Sequence, residues 1–354
     1  MSVTLKDIAR KVGYSVTTVS RALNDYDDVN EETKQLIKRV AQEMGYHPHV
    51  IAQSLQRRRT NTVGYIVPAT DRYLLDPYFL ELLAGVGDGA ASYDFDLLVS
   101  TCKPMAPEEH LVYERMVKGR RVDGIVVART RCDDERIAYL MSEGFPLIAF
   151  GRTASDQDFP YLDVDGERGV CEATKHLIGL GHRRIGFISP SLYLMFAEHR
   201  LAGYKRALQE NGLELDPALV IEGNLTQAGG HQRMEQLLDL EEPPTAVVAG
   251  NDLMAFGAME AAQERGLVVG RDVAVIGFDD VPLAAYFRPT LTTIRQPIYD
   301  IGKKLSQTLI EIIKGEEPVE RQIILQPELV IRESSGVGLV EDEKGGDSSV
   351  IFMF

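Results

Sequence analysis

Thr4-Leu5-Lys6-Asp7-Ile8-Ala9, then Gly13, then Ser15-Val16-Thr17-Thr18-Val19-Ser20-Arg21-Ala22-Leu23-Asn24: this stretch decides how the chain is read. Thr4 with Asp7 three residues on, and Ser15 ahead of Val16, supply the side-chain acceptors that two helix starts require. Ile8, Ala9, Val12, Val19, Ala22 and Leu23 recur at helical spacing and turn inward, while Gly13 breaks the first helix. Val16, Thr17, Thr18, Ser20 and Arg21 remain outward at the start of the second helix. All but the arginine are short, which lets a helix N-terminus approach phosphates and base edges closely. The pattern predicts a helix-turn-helix, with an ordinary amphipathic helical pair as its bland alternative.

Residues 30–60 favour the helix-turn-helix. Asn30 caps a predicted third helix, Glu31 to Met44, whose Val40, Ala41 and Met44 close a small core before Gly45-Tyr46-His47-Pro48. Residues 1–60 carry ten Lys/Arg against seven Asp/Glu, leaving 28 against 46 in the remainder of a chain whose net charge is −15. An acidic whole argues against nucleic acid, but only the DNA-facing part has to be basic. Arg57-Arg58-Arg59 is either a solvated linker or a phosphate contact.

At 354 residues and 44% hydrophobic content the chain can bury large cores in two or three domains. Cys102, Cys132 and Cys171 are odd in number and in no metal spacing, as expected of reduced thiols in a cytosolic protein. No export signal and no stretch of transmembrane length is read. Beyond residue 60, short β-branched runs alternate with helical stretches. Val63–Val67, Leu97–Val99, Gly124–Val127 and Pro146–Phe150 read as one set of buried parallel strands, and Ile185–Ile188, Ala246–Ala249 and Val273–Gly277 as a second. Helices are expected at about 78–92, 107–118 and 133–143, then at about 168–180, 200–211, 229–238 and 252–265. The expected fold class is therefore an all-α helix-turn-helix headpiece followed by an α/β body of two doubly wound parallel-sheet units.

Ligands in such sheets sit beyond the carboxyl ends of the strands, so the cleft between the units is the expected binding place. Polar residues collect there: Asp76 with Tyr78 and Phe79, Gly151-Arg152, Asp163 and Asp165, Asn251-Asp252, and Asp279-Asp280. Any one alone reads as a helix cap or loop residue. As a set, carboxylates and amides with an arginine fork suit vicinal hydroxyls, because each hydroxyl both donates and accepts. Tyr78, Phe79 and Phe287 either stack on a sugar face or pack in the core.

The strings Thr4–Ala9, Thr18–Asn24, Gly45–Pro48 and Ile51-Ala52-Gln53-Ser54-Leu55 resemble, in order and register, the lactose-repressor/galactose-repressor family of bacterial transcription regulators. The resemblance extends to about Glu333 through Phe150-Gly151-Arg152, Asp163-Val164-Asp165, Gly179–Gly186, Arg200–Tyr204, Asn251–Ala255, Gly277-Phe278-Asp279-Asp280 and Leu291–Pro297. It implies a periplasmic-binding-protein-like effector domain, and that Val16 and Thr17 choose operator sequence, with Arg21 a further contact. Leu55 would be a hinge-helix wedge in the minor groove, where an apolar side chain unstacks a base step and kinks the duplex. The whole expected DNA-contacting set is Thr4, Ser15, Val16, Thr17, Thr18, Ser20, Arg21, Asn24, Asn30, Ala52 and Leu55. A leucine on a short helix is ordinarily core, but Val50, Ala52, Gln53 and Ser54 are too few and small to build one, so pairing with a second copy is expected.

For the effector, the resemblance implies Arg200, Asn251 and Asp279 gripping hydroxyls, with Asp165 and Gln296 completing the cleft. Asp76, Tyr78, Phe79 and Arg152 join the expected set. Two stretches depart from the family pattern. Pro190-Ser191-Leu192-Tyr193-Leu194-Met195-Phe196 is more apolar than the usual polar loop, and Gly336 to Phe354 is acidic and glycine-rich without the leucine heptads of a tetramer. The expected boundaries are 1–48 for the headpiece, 49–61 for the hinge, 62–333 for the effector and dimerisation domain, and 334–354 for a tail. Within that domain the first lobe is expected at about 62–162 and 296–320, and the second at about 163–291 and 321–333.

No catalytic apparatus is read. The seven histidines are scattered, and the sequence has no His-Glu-x-x-His, Cys-x-x-Cys, Gly-x-Ser-x-Gly or Walker loop. No cofactor or metal is implied. Gly85-Val86-Gly87-Asp88-Gly89 falls inside a predicted helix, where glycines serve close helix packing better than nucleotide binding. Three functions stay open. The leading one is a homodimeric cytoplasmic repressor released from a palindromic operator by a small sugar, a gluco-configured mono- or disaccharide such as an α-glucoside by analogy. The others are a corepressor-type regulator of a purine or phosphorylated ligand, and a sugar-binding protein without DNA function.

Overall fold

Polar caps and apolar periodicity set the first three helices of the computed structural model, which describes residues 3–46, 59–68 and 76–336. Helices α1 (Leu5–Val12), α2 (Val16–Leu23) and α3 (Glu31–Glu43) form a unit of their own. The Asp7 carboxylate accepts from the Thr4 N–H at 3.0 Å and from the Thr4 hydroxyl at 2.6 Å. Ser15 accepts from the Thr18 N–H, and Asn30 from the Thr33 N–H. Gly13, at φ +75°, takes the left-handed turn between α1 and α2. Ile8, Val19, Ala22, Ile37 and Ala41 close the core, with Val12, Leu23, Val40 and Met44 half-buried around them.

The second unit starts at Asn61. Its elements are β1 (Thr62–Pro68), α4 (Pro77–Ala91), β2 (Asp96–Cys102), α5 (Glu109–Val117), β3 (Gly124–Ala128), α6 (Glu135–Ser142), β4 (Leu147–Phe150) and β5 (Tyr161–Val164). Next come α7 (Gly166–Gly179), β6 (Ile185–Ser189), α8 (Met195–Glu210), β7 (Val220–Glu222), α9 (Gln227–Leu238), β8 (Ala246–Ala249), α10 (Asp252–Glu264) and β9 (Ala274–Asp279). The last are β10 (Thr292–Arg295), α11 (Ile298–Lys314), β11 (Gln322–Leu325) and β12 (Glu328–Val330). One sheet runs β11-β5-β4-β3-β1-β2 and the other β12-β10-β9-β8-β6-β7. The described pairings are parallel except β12 on β10. Burial on both faces explains the unbroken apolar runs of β3, β4, β6 and β8.

The chain crosses between the lobes after β5, after β10 and between β11 and β12. This corrects the expected lobe boundaries. Tyr161–Val164 pairs with β4 and Gln322–Leu325 with β5, so the first lobe extends through Val164 and takes in β11. The apparent loop residue Asp163 is the third residue of a buried strand. The glycines of α4 pack as expected: a Cβ on Gly85 would lie 2.0 Å from the Tyr299 carbonyl oxygen, and one on Gly302 2.4 Å from that of Leu82. That crossing brings α4 and α11 within backbone contact under the first sheet.

Candidate functional site

In the first unit, α2 begins with an uncovered face. Val16 is 40% exposed, Thr17 and Arg21 are exposed, and Thr18 and Ser20 are half-buried. Arg21 pairs with Asp28, and Thr18 shares a hydrogen bond with the Ser15 hydroxyl. Asn24 ends α2 by donating its amide to the Ser20 carbonyl at 2.8 Å. Thr4, Ser15 and Asn30 stand at the three helix starts, Ser15 and Asn30 capping them through their side chains and Thr4 through its contacts with Asp7. Tyr14 and Tyr26, both exposed beside α2, were not in the expected set. Ala52 and Leu55, with residues 49–58 of the expected hinge (49–61) and 337–354 of the expected tail (334–354), lie outside the described residues.

In the second unit, strand ends from both lobes meet around a cleft of about 620 Å³, its open mouth included. Asp76, Tyr78, Arg129, Phe150 and Asp163 line it from the first lobe, and Phe196, His199, Arg200, Asn251 and Asp279 from the second, with Gln296 at the crossover. Local structure fixes each. Asp76 caps α4 by accepting from the Tyr78 N–H at 3.1 Å. The Tyr78 ring lies nearly parallel to Phe150, with 6.4 Å between centroids. Asn251 caps α10, accepting from the Met254 N–H and donating to the Leu225 carbonyl.

Arg200 is buried, with its guanidinium 3.5 Å from the Phe278 ring centroid and 4.7 Å from that of Phe196. It donates to the Gly250 carbonyl, and among the described residues its Nε has no partner. A buried unpaired N–H costs about 1–3 kcal/mol, so this one calls for an acceptor. Across the site, Gln296 donates to Asp279 at 2.6 Å. Asp279 and Asp280 both have positive φ, 128° and 57°, a strained pair of non-glycine residues. Arg295 and Arg332 grip Asp280, each at 2.7 Å, and so hold the turn that aims Asp279.

Burial sets the electrostatics. It raises the Asp279 carboxyl well above the usual carboxylate range, with the Arg200 charge opposing, and pushes Asp76 up to about 6. Burial and the adjacent Arg152 charge hold His199 below the usual histidine value, favouring the neutral ring. The result is a polar cleft in which carboxylates and a guanidinium compensate one another. That arrangement can pair with hydroxyls, which donate to carboxylates and accept from Arg200.

The structure brings Asp76, Tyr78, Arg200, Asn251, Asp279 and Gln296 together and leaves three expected residues out of the lining. Phe79 is wholly buried in the first-lobe core, edge-on to Tyr78 and beneath Arg129. Phe79 lies about 100° round α4 from Tyr78 and turns into that core while Tyr78 lines the cleft. Asp165 caps α7 by accepting from the Arg168 N–H. Arg152 stands behind the lining, donating to Asp163 at 2.7 Å and lying 3.2 Å from His199 Nδ1. Phe287 stacks on Phe256 in the second-lobe core. Arg129, Phe150, Phe196 and His199 are lining residues absent from the expected set.

Among the described residues no group of His, Cys, Asp and Glu could hold a metal ion, and no helix is long and apolar enough to cross a membrane. The model of the bacterial regulatory proteins of the lacI family matches residues 4–49, and that of the periplasmic binding protein-like domain matches residues 174–335. The chain is 36% identical to the HTH-type transcriptional regulator AglR of Rhizobium meliloti, over 95% of each chain. It is 32% identical to the catabolite control protein A of Priestia megaterium, over 92% of this chain and 97% of the relative. Among solved structures, the lac repressor dimer bound to operator and the anti-inducer ONPF is similar at a TM-score of 0.82 and 27% identity, covering 95% of this chain and 99% of that one. The complex of the transcriptional regulator CelR with cellobiose is similar at a TM-score of 0.73 and 32% identity, covering 94% and 99%.

Proposed function

The chain belongs to the lacI family of bacterial regulatory proteins, DNA-binding regulators of transcription, and on that premise we propose that it is a carbohydrate-responsive repressor whose operator affinity is lowered by a neutral sugar in the inter-lobe cleft. The observation that carries the sugar is Arg200: a buried guanidinium sandwiched between aromatic rings, with an unpaired Nε, in one cleft with Asp279, Asn251 and Gln296. A hydroxyl pair accepts from Arg200 and donates to Asp279, relieving an orphaned donor and a desolvated carboxylate together. Tyr78 and Phe196 supply the apolar faces that the ring's C–H bonds need.

Exposed Val16, Thr17 and Arg21 at the start of α2 support contact with a palindromic operator by a homodimer, and Ala52 and Leu55 would complete the grip as a paired hinge. The allosteric logic requires only that the sugar bind the released state a few kcal/mol better than the DNA-bound one. The expected place of action is the cytoplasm, on genes of carbohydrate uptake and catabolism. The relatives are regulators rather than enzymes, and catalysis has no part in the proposal. Swapping Val16 and Thr17 for other residues and selecting binding sites from random palindromes tests the DNA half. A shift of base preference confined to positions symmetric about the centre is expected, and an unchanged preference would remove α2 as the reading element.

A further inference from the structure

Arg152 and His199 meet across the two lobes. Arg152 follows β4, and Asp163, on the neighbouring strand β5, fixes its guanidinium by accepting from Nε at 2.7 Å. The other oxygen of Asp163 is taken by the Val164 N–H at 2.8 Å. With Nε committed, a terminal nitrogen of the guanidinium lies 3.2 Å from Nδ1 of His199, which belongs to α8 of the second lobe. A guanidinium has only donors, so the ring nitrogen that meets it must accept, and an imidazole accepts only when it is neutral. Protonation removes that lone pair and sets a second cation against the first.

Among the described residues, the other charged groups facing the ring are carboxylates, and each is engaged elsewhere. Asp163 on β5 is held by Arg152, Asp165 caps α7 through the Arg168 N–H, and Glu167 in the first turn of α7 pairs with Arg206, two turns further along α8. Burial and the Arg152 charge outweigh these carboxylates, so the neutral, accepting ring is the favoured form near neutral pH. The position matters because His199 immediately precedes Arg200, and Phe196 lies one turn before Arg200 on the same helix. Whatever ties this part of α8 to the first lobe also sets two of the side chains that line the cleft.

We propose that Arg152 and His199 form a proton-sensitive latch between the lobes: the neutral ring holds α8 against the first lobe, and acid releases it and loosens the grip of Arg200 on the effector. An acidified cell would then keep its operator occupied at effector concentrations that release it at neutral pH. The effect on affinity rests on the reading of the cleft as a sugar site, whereas the latch itself does not.

The chain has no tryptophan, so Tyr193→Trp, at an exposed position two residues before α8, gives the ligand-free full chain a single reporter beside the latch. Its emission should change between pH 8 and 5 with a midpoint below the usual histidine value of 6.5. Adding His199→Gln, whose amide oxygen accepts without titrating, should remove the transition, and Arg152→Met should move its midpoint upward. A transition that survives His199→Gln, or no transition at all, overturns the latch. Calorimetry with glucose, galactose, maltose, cellobiose and lactose, on the chain with Tyr193 intact, should show sugar affinity falling about threefold or more from pH 7.5 to pH 5, the scale of one hydrogen bond, and staying level in His199→Gln. An equal fall in both overturns the coupling to the effector. Failure of every sugar to bind at either pH, with the emission transition present, overturns the sugar reading and leaves the latch standing.

Discussion

Replacing Arg200 with methionine separates effector binding from stability. Methionine fills much of the arginine stem and keeps a polarizable contact with the Phe196 and Phe278 rings. Loss of the bond to Gly250 leaves a buried carbonyl unpaired, at about 1–3 kcal/mol, while removal of a desolvated cation and its orphaned Nε offsets a similar amount. Without ligand, the variant should therefore stay within about 1 kcal/mol of wild type, roughly 2–4 °C in melting temperature for a domain of this size. With ligand the two diverge. Two charge-assisted hydrogen bonds at about 1.5–3 kcal/mol each put the loss at about 3 kcal/mol or more, over 100-fold in affinity. Thermal melts at a sugar concentration about 100 times the wild-type Kd supply the assay. Wild type should be stabilised by about 2.7 kcal/mol, roughly 5–10 °C, and the variant hardly at all. An equal thermal shift in both would remove Arg200 from the effector site, and a ligand-free variant melting more than about 10 °C lower would make it a structural residue instead.

Leu55→Ala should weaken operator binding by at least about tenfold in a fluorescence-anisotropy titration while sparing sugar affinity; unchanged operator affinity would sink the hinge wedge. Gly302→Ala forces a methyl group to 2.4 Å from the Leu82 carbonyl oxygen, so it should destabilise the second unit by about 1–3 kcal/mol in urea unfolding, and an unchanged midpoint would contradict the close crossing of α4 and α11. The pH dependence comes from Asp76, whose carboxyl is raised from the usual 3.8 to about 6 in the folded chain. Between those values the folded state holds a proton that the unfolded state has released, so this group's contribution to stability falls as pH rises through that window. Asp76→Asn removes the slope; melts at pH 5 and 7.5 should show the variant gaining on wild type at the higher pH, and a constant difference would mean that Asp76 does not titrate there.

How much of this could be read in the sequence depended on how local each signal is. The headpiece was legible because Ser15 and Asn30 accept from N–H groups three residues away, Asp7 reaches back to Thr4, and Ile8, Val19 and Ala22 recur at helical spacing. The central strands β1, β3, β4, β6, β8 and β9 were legible because burial on both faces demands continuous apolar runs, while the interior strands β5 and β10, with their polar Asp163, Thr292 and Thr293, were not. Among edge strands, Leu97–Val99 was read, though as buried where β2 is partly exposed, and Gln322–Leu325 and Glu328–Val330 were not, being short and partly exposed. Helix Ile298–Lys314 was also missed: it follows the last strand of the second lobe yet packs under the sheet of the first, whose strands β1 to β5 all lie far earlier in the chain. In the cleft, Asp76, Asn251 and Asp279 stood out as polar residues at or beyond the carboxyl ends of strands. Arg129, directly after β3, carried the same signal and was overlooked, whereas Phe196 and His199 lie on a helix and only the approach of one lobe to the other turns them toward a common space. Phe79 and Asp165 show the opposite error, residues placed by adjacency to true lining positions but turned away by helix geometry and by capping.

The central claim is that a neutral sugar bound between the lobes loosens the hold on DNA. The most direct measurement titrates the purified protein, already bound to its operator, with neutral mono- and disaccharides, sugar phosphates and purines while DNA binding is followed by anisotropy. The account predicts that one neutral sugar lowers operator affinity and that Arg200→Met abolishes the effect while binding DNA as wild type does. A phosphorylated ligand or purine that tightens DNA binding, with every neutral sugar inert, would contradict it and reverse the sign of regulation.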